Sequence, residues 1–228
     1  MMLTTLKKYA EEENRGEIAQ WLEKTYSEEP MITFPKWTDN LCGVAAAQGL
    51  PGTLKWLISH GVCMDEYTCV MAARAGQLGM LKWARDQGCP WDRRVCSNAA
   101  ERGYIEILEW ARKHGCPWDW TLCDGAAREG QLGTLKWAKE HGCELKNSAV
   151  LMAVLGNHLD VVKWLWTHGH TLTLFETEAA EREGHYDILV WFIEEHERTG
   201  RMNVILLHKK TQEVLRKRGV LTGYKCGF

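Results

Sequence analysis

Between residues 120 and 141 the apolar side chains fall into two clusters. Leu122, Cys123, Ala126 and Ala127 share one face of the first, and Leu132, Leu135, Trp137 and Ala138 one face of the second, with Lys136, Lys139 and Glu140 turned away. Steps of three and four residues belong to an amphipathic helix, not to a strand, whose apolar positions alternate. The pattern predicts two short helices, over residues 120–129 and 131–141, each stopped by a glycine, Gly130 or Gly142. The first helix carries small side chains on its buried side, which lets a neighbouring helix come close.

The same pair of helices returns at a fixed interval. Trp56, Trp83, Trp110, Trp137, Trp164 and Trp191 each stand 27 residues from the next. Seven residues ahead of them come Gly49, Gly76, Gly103, Gly130, Asn157 and Gly184, and Asn is the residue after Gly that best tolerates a left-handed backbone. Eleven ahead runs an unbroken column, Ala45, Ala72, Ala99, Ala126, Ala153 and Ala180, and five behind come Gly61, Gly88, Gly115, Gly142 and Gly169. Six helix–turn–helix repeats over residues 36–197 are expected, stacked as an all-α solenoid because one unit cannot bury its apolar face alone.

Thr38, Asp65, Asp92, Asp119 and Thr173 sit where a short polar side chain caps the first helix; Lys146 breaks that column and leaves the role to Asn147 or Ser148. Residues 1–35 echo the spacing once more through Ala10, Asn14, Trp21 and Leu22, followed by an insertion over residues 26–36, and read as an acidic capping repeat. Residues 198–228 lose the Trp and Gly columns and form a basic cap or tail, with Arg201, Lys209, Lys210, Arg216, Lys217, Arg218 and Lys225 against Glu213.

The recurring AA-x-x-G-x-L-x-x-L-K-W-x-x-x-x-G, clearest in NHLDVVKWLWTHG at residues 157–169, resembles the ankyrin repeat over about 70% of the chain. Its variant, with Cys89-Pro90-Trp91-Asp92 and Cys116-Pro117-Trp118-Asp119 between repeats, is similar to the ankyrin-type arrays of large DNA viruses, algae and oomycetes. Two departures stand out. The family's Thr-Pro-Leu-His opening is absent, its His position being Gly43, Val70, Ser97, Asp124, Leu151 or Glu178, and the period is 27 rather than the family's ~33. The resemblance implies that the missing residues are those of the projecting β-hairpin finger, leaving short loops. It also implies that the Trp column takes a core Leu position, and that Trp91 and Trp118 take a buried inter-repeat Val position. A leucine-rich repeat can share the period, but its L-x-x-L-x-L-x-x-N pattern does not occur here.

Composition narrows the function classes. The chain has 228 residues, with 28 Lys and Arg against 30 Asp and Glu and a formal net charge of -2. It lacks the basic surplus with which a nucleic-acid binder neutralises phosphates. The stretch from 201 to 225 is the one candidate contact for a nucleic acid or an anionic membrane. No apolar run reaches the ~18 residues of a membrane span, and the N-terminus lacks the apolar stretch of a secretory signal. This points to an intracellular protein, cytoplasmic or, if viral, in the host cell or virion.

Seven of the nine cysteines form two columns, Cys42, Cys69, Cys96 and Cys123, then Cys89, Cys116 and Cys143. Within a column, successive thiols should lie ~9–10 Å apart, too far for a disulfide, so they are expected to be buried thiols acting as small hydrophobes. Cys63 and Cys226 stand outside both columns, and without a C-x-x-C pair no metal site is expected. His60, His114, His141 and His168 end the second helices, where each can bond an exposed helix carbonyl. His158 and His185 begin second helices, like the Gly-His of the ankyrin pattern.

No nucleophile–base pair, Gly-rich phosphate loop, H-E-x-x-H or G-x-S-x-G interrupts the repeat, so neither catalysis nor a cofactor is expected. What varies between repeats is the step from loop to first helix, Glu66 and Tyr67, Arg93 and Arg94, Trp120 and Thr121, Asn147 and Ser148, and one helix face further on Arg74, Glu101 and Arg128. A constant core under a variable face is the pattern of a protein-binding scaffold or adaptor that uses a concave surface of helices and loops. Trp120 stands in a column otherwise filled by Asp39, Glu66, Arg93, Asn147 and Leu174, and is the leading hot-spot candidate. Two other readings fit the same pattern: a structural subunit of a larger assembly docked through its acidic and basic ends, and an anionic-surface contact through the basic tail.

Overall fold

The computed structural model describes residues 15–27 and 41–199. Ala10, Asn14, Thr38, Asp39, most of the insertion before the first full repeat, Cys226 and all but the first two residues of the basic segment lie outside the described residues.

Thirteen α-helices and no strand lie among the described residues, so the protein is all-α. A single helix, α1 (Gly16–Ser27), precedes six pairs: α2 (Leu41–Ala47) and α3 (Pro51–Ser59), α4 (Glu66–Arg74) and α5 (Leu78–Asp86), α6 (Arg93–Glu101) and α7 (Ile105–Lys113), α8 (Thr121–Arg128) and α9 (Leu132–Glu140), α10 (Ser148–Leu155) and α11 (Leu159–Thr167), and α12 (Leu174–Glu183) and α13 (Tyr186–Thr199). The chain forms two compact units, one running to Ala99 and including Glu106–Pro117, the other made of Ala100–Ile105 and the residues from Trp118 on. In the first, α2 packs against α4, with α3 on α2 and α5 on α4. In the second, α8, α10 and α12 pack in series, each with its own second helix against it, and α11 meets α13.

One left-handed residue sets the turn inside each pair. Gly49, Gly76, Gly103, Gly130 and Gly184 have φ between 67° and 77°, and Asn157, at 59°, is the only non-glycine with positive φ among the described residues. The expected column of turn residues is therefore realised, including its one substitution.

The core differs from expectation in one respect. Four second helices, α5, α7, α9 and α11, each bury two adjacent residues and the third one after them: Met80, Leu81 and Ala84; Ile107, Leu108 and Ala111; Thr134, Leu135 and Ala138; Val161, Val162 and Leu165. At ~100° per residue, the Trp just before the last member of each set projects about 100° from the centre of that face. Trp56 is buried, but Trp83, Trp110, Trp137, Trp164 and Trp191 are only half-buried, as are Trp91 and Trp118. The core Leu position is instead the residue two places earlier, and Leu54, Leu81, Leu108, Leu135 and Val162 are fully buried.

The indoles line the flank of the second helices. Trp91 meets Trp110 edge to face at 5.6 Å, and Trp118 meets Trp137 at 5.8 Å. Each helix-ending histidine lies against the indole four residues back, with ring centroids 4.2–4.4 Å apart for Trp56 and His60, Trp110 and His114, Trp137 and His141, and Trp164 and His168. The same four histidines place Nδ1 2.7–2.9 Å from the carbonyl oxygen of that Trp. They serve the last turn of the helix, as their position predicts.

Candidate binding face

The starts of the first helices are fixed by their caps. Asp65 accepts from the Thr68 N–H at 3.2 Å in a capping box, and Asp119 accepts from the Thr121 N–H at 3.0 Å. Asp92 accepts from the Arg94 N–H at 2.8 Å and pairs with the Arg94 guanidinium at 2.8 Å. Burial pushes the Asp92 carboxyl up, but these bonds and the Arg94 charge outweigh it and leave it below the usual carboxylate range. Thr173 caps α12 in a box with Glu176. The repeat opened by Lys146 departs from expectation: the Asn147 side chain caps nothing and its Oδ1 lies 3.0 Å from His170 Nδ1, while the Ser148 hydroxyl donates to Asp124 at 2.9 Å. Both side chains reach for a neighbouring repeat rather than for their own helix end.

In the first unit Glu66, Arg74, Arg93 and Arg94 are exposed and Tyr67 is half-buried. In the second, Arg128 and Asn147 are exposed, whereas Glu101, Trp120, Thr121 and Ser148 are half-buried. Lys146 Nζ stands 4.7 Å from the Trp120 ring centre, a cation–π contact within one face. Glu101 lies across Gly125, where a β-carbon would come 2.8 Å from its Cγ. Two residues that the composition of the columns did not single out are the most exposed large apolar side chains described: Leu174 at 49% and Phe175 at 61%. They occupy the columns of Trp120 and Thr121, 54 residues on. Their signal was available in the sequence, as two apolar residues in positions that are polar in most repeats.

Asp124 holds the position where the ankyrin pattern has His, and it is buried at 9% exposure. Burial pushes its carboxyl above the ordinary carboxylate range, offset only in part by the Ser148 bond and the Lys146 charge. The folded chain therefore holds this proton more tightly than the unfolded one. Ionised Asp124 costs stability above its folded-state pKa, and that cost fades as the pH falls through the folded value and vanishes below the unfolded value of ~3.9. Asp124→Asn keeps an acceptor for Ser148 and should raise Tm at neutral pH while leaving it unchanged in acid below that value. A lower Tm at neutral pH would mean that the charge itself is needed.

No family model and no curated protein matches the chain. Among solved structures it is similar to the human ASB11 ankyrin repeat domain, at 18% identity over 57% of this chain and 70% of that one, with a TM-score of 0.46. A likeness of that size carries no functional weight. No helix among the described residues is long and apolar enough to cross a membrane, and no group of three or more His, Cys, Asp or Glu side chains among them is placed to hold a metal ion.

Proposed function

We propose that the chain is a non-enzymatic array that binds a protein partner through the starts of its first helices and the loops before them. One observation carries this reading. At the helix starts the side chains are exposed and change type, Glu66, Arg93, Asn147 and Leu174, whereas the alanine column six residues further along each first helix is fully buried and does not change. A position released from packing is available for recognition, and a repeat array places such positions at regular intervals. The ankyrin-like columns of the sequence support the same reading. Helix α1 is proposed as the cap: Leu22 is fully buried, and Trp21 Nε1 donates to Gln48 of the first pair at 2.5 Å.

The test uses the exposed residues rather than half-buried Trp120. Leu174→Ser with Phe175→Ser, and separately Arg93→Ala, should each leave Tm within a few degrees of wild type yet weaken capture of the partner. Hot-spot losses are about 2 kcal/mol or more. Partners are taken from native lysate by the wild-type chain, identified by mass spectrometry and then titrated against each variant. The control, Lys113→Ala with Lys136→Ala on exposed faces of second helices, should bind as wild type. If the control lost the partner and the helix-start variants kept it, recognition would lie on the second helices and this reading would fall.

A further inference from the structure

We propose that three repeats each carry a dithiol site, Cys69 with Cys89, Cys96 with Cys116 and Cys123 with Cys143, which hydrogen peroxide closes to a disulfide inside the repeat. Spacing within one cysteine column keeps its thiols apart; the fold instead brings the two columns together. In each pair the first cysteine lies on the first helix, α4, α6 or α8, and the second lies 20 residues on, in the loop that follows the second helix. All six are thiols in this structure.

Cys123 Sγ lies 3.1 Å from Cys143 Sγ. In the other two pairs the thiols are also neighbours, in the same register of first helix and following loop. A disulfide bond is ~2.05 Å long, so closure of the Cys123–Cys143 pair requires about 1 Å of approach between sulfurs that already touch. The second thiol of each pair is also held by a backbone carbonyl, Cys89 Sγ at 3.1 Å from Asp65 O, Cys116 Sγ at 3.4 Å from Asp92 O and Cys143 Sγ at 3.5 Å from Asp119 O. One arrangement thus recurs three times. The bond from Cys69 favours the thiolate of Cys89 and holds its pKa below the ordinary value against the effect of burial, with the Arg85 charge acting in the same direction.

None of the six cysteines is more than 7% exposed, which excludes a protein disulfide as reaction partner and leaves a small oxidant that reaches the thiols when the loop after the second helix opens locally. The thiolate attacks one oxygen of hydrogen peroxide, breaking the O–O bond and forming a sulfenic acid, while hydroxide leaves and takes up a proton to become water. The second thiol then attacks the sulfenic sulfur, the S–O bond breaks, and the departing hydroxyl leaves as a second water with that thiol's proton. Two thiols and one peroxide give one disulfide and two waters. The bond would tie each first helix to the loop that opens the next one, including the Cys-Pro-Trp-Asp segments at Cys89 and Cys116.

The chain contains its own control. Cys42 has Val62 in the register position of the second cysteine, so its repeat offers no thiol there with which to close a disulfide, and it should stay reduced. The full-length protein is exposed to hydrogen peroxide, quenched, unfolded in N-ethylmaleimide, digested without reduction and mapped by mass spectrometry. Three linked peptides are expected, 69 to 89, 96 to 116 and 123 to 143, each lighter by two hydrogens and each opened by dithiothreitol, with Cys42 alkylated throughout. Cys143→Ala should lose the third link alone. The proposal is overturned if the six cysteines remain fully alkylatable at a peroxide dose that oxidises exposed Cys63. It is equally overturned if they link in other combinations or pass singly to sulfinic and sulfonic acids.

Discussion

Truncating Leu135 to alanine is expected to destabilise the protein by about 3–4 kcal/mol, and truncating the larger Trp137 beside it by only about 2 kcal/mol. Leu135 is fully buried between Thr134 and Ala138, so its loss removes apolar area from the core and leaves a cavity that the short helix cannot close. Trp137 lies on the flank of the same helix, half in solvent, against Trp118 and His141. Part of its area therefore returns to water at no cost. Its Nε1–H is also buried without a hydrogen-bond partner, and removing an unsatisfied donor relieves a penalty of ~1–3 kcal/mol. Urea unfolding of both variants, monitored by circular dichroism, gives the comparison. A larger loss for Trp137→Ala would return the indole to the core and contradict the helical geometry.

The same geometry separates what the sequence could disclose from what it could not. Period, helix pairs, turn residues and most caps are local properties, each set by two or three neighbouring side chains. Asn157 in the left-handed column and Asp65 in its capping box are read directly from spacing. The depth of Trp137 is not local, because an indole at the edge of an apolar face is buried only as far as its neighbours reach over it. The register repeats Trp so regularly that it imitates a core column. The cysteine pairs are not legible in the sequence for a related reason. Distance within a column follows from helix packing alone, whereas distance between columns depends on how the loop after the second helix folds back over the first, and no periodicity reports that. At the candidate face, Glu66, Arg93 and Asn147 lie exposed where variability placed them, while Ser148 and Trp120 are drawn inward by Asp124 and Lys146.

Gly156→Ala is expected to cost about 2–3 kcal/mol, while the same substitution at Gly133 should gain up to about 1 kcal/mol. Gly156 ends α10 with φ -77°, an ordinary helical value, so no backbone strain calls for glycine. Alanine would even be favoured there if space were open, because it loses less conformational entropy on folding. Space decides the sign. A β-carbon at Gly156 would fall well inside the contact distance of the Arg128 carbonyl oxygen at the end of α8, and within 2.6 Å of His158 Cδ2. The carbonyl cannot swing aside as a flexible side chain could, so α8 and α10 must separate, and these two helices pack directly against each other. Gly133, inside α9, has nothing within 4 Å of the same β-carbon and shows only the propensity term. The other repeats carry Gln48, Ala75, Arg102, Glu129 and Glu183 in the Gly156 column, so the requirement belongs to this one contact and not to the repeat. Equilibrium unfolding in urea of the two variants beside wild type should therefore move the midpoint in opposite directions. A shift of the same sign for both would mean that α10 yields to the added methyl, and the close approach to Arg128 would not be what fixes glycine at 156.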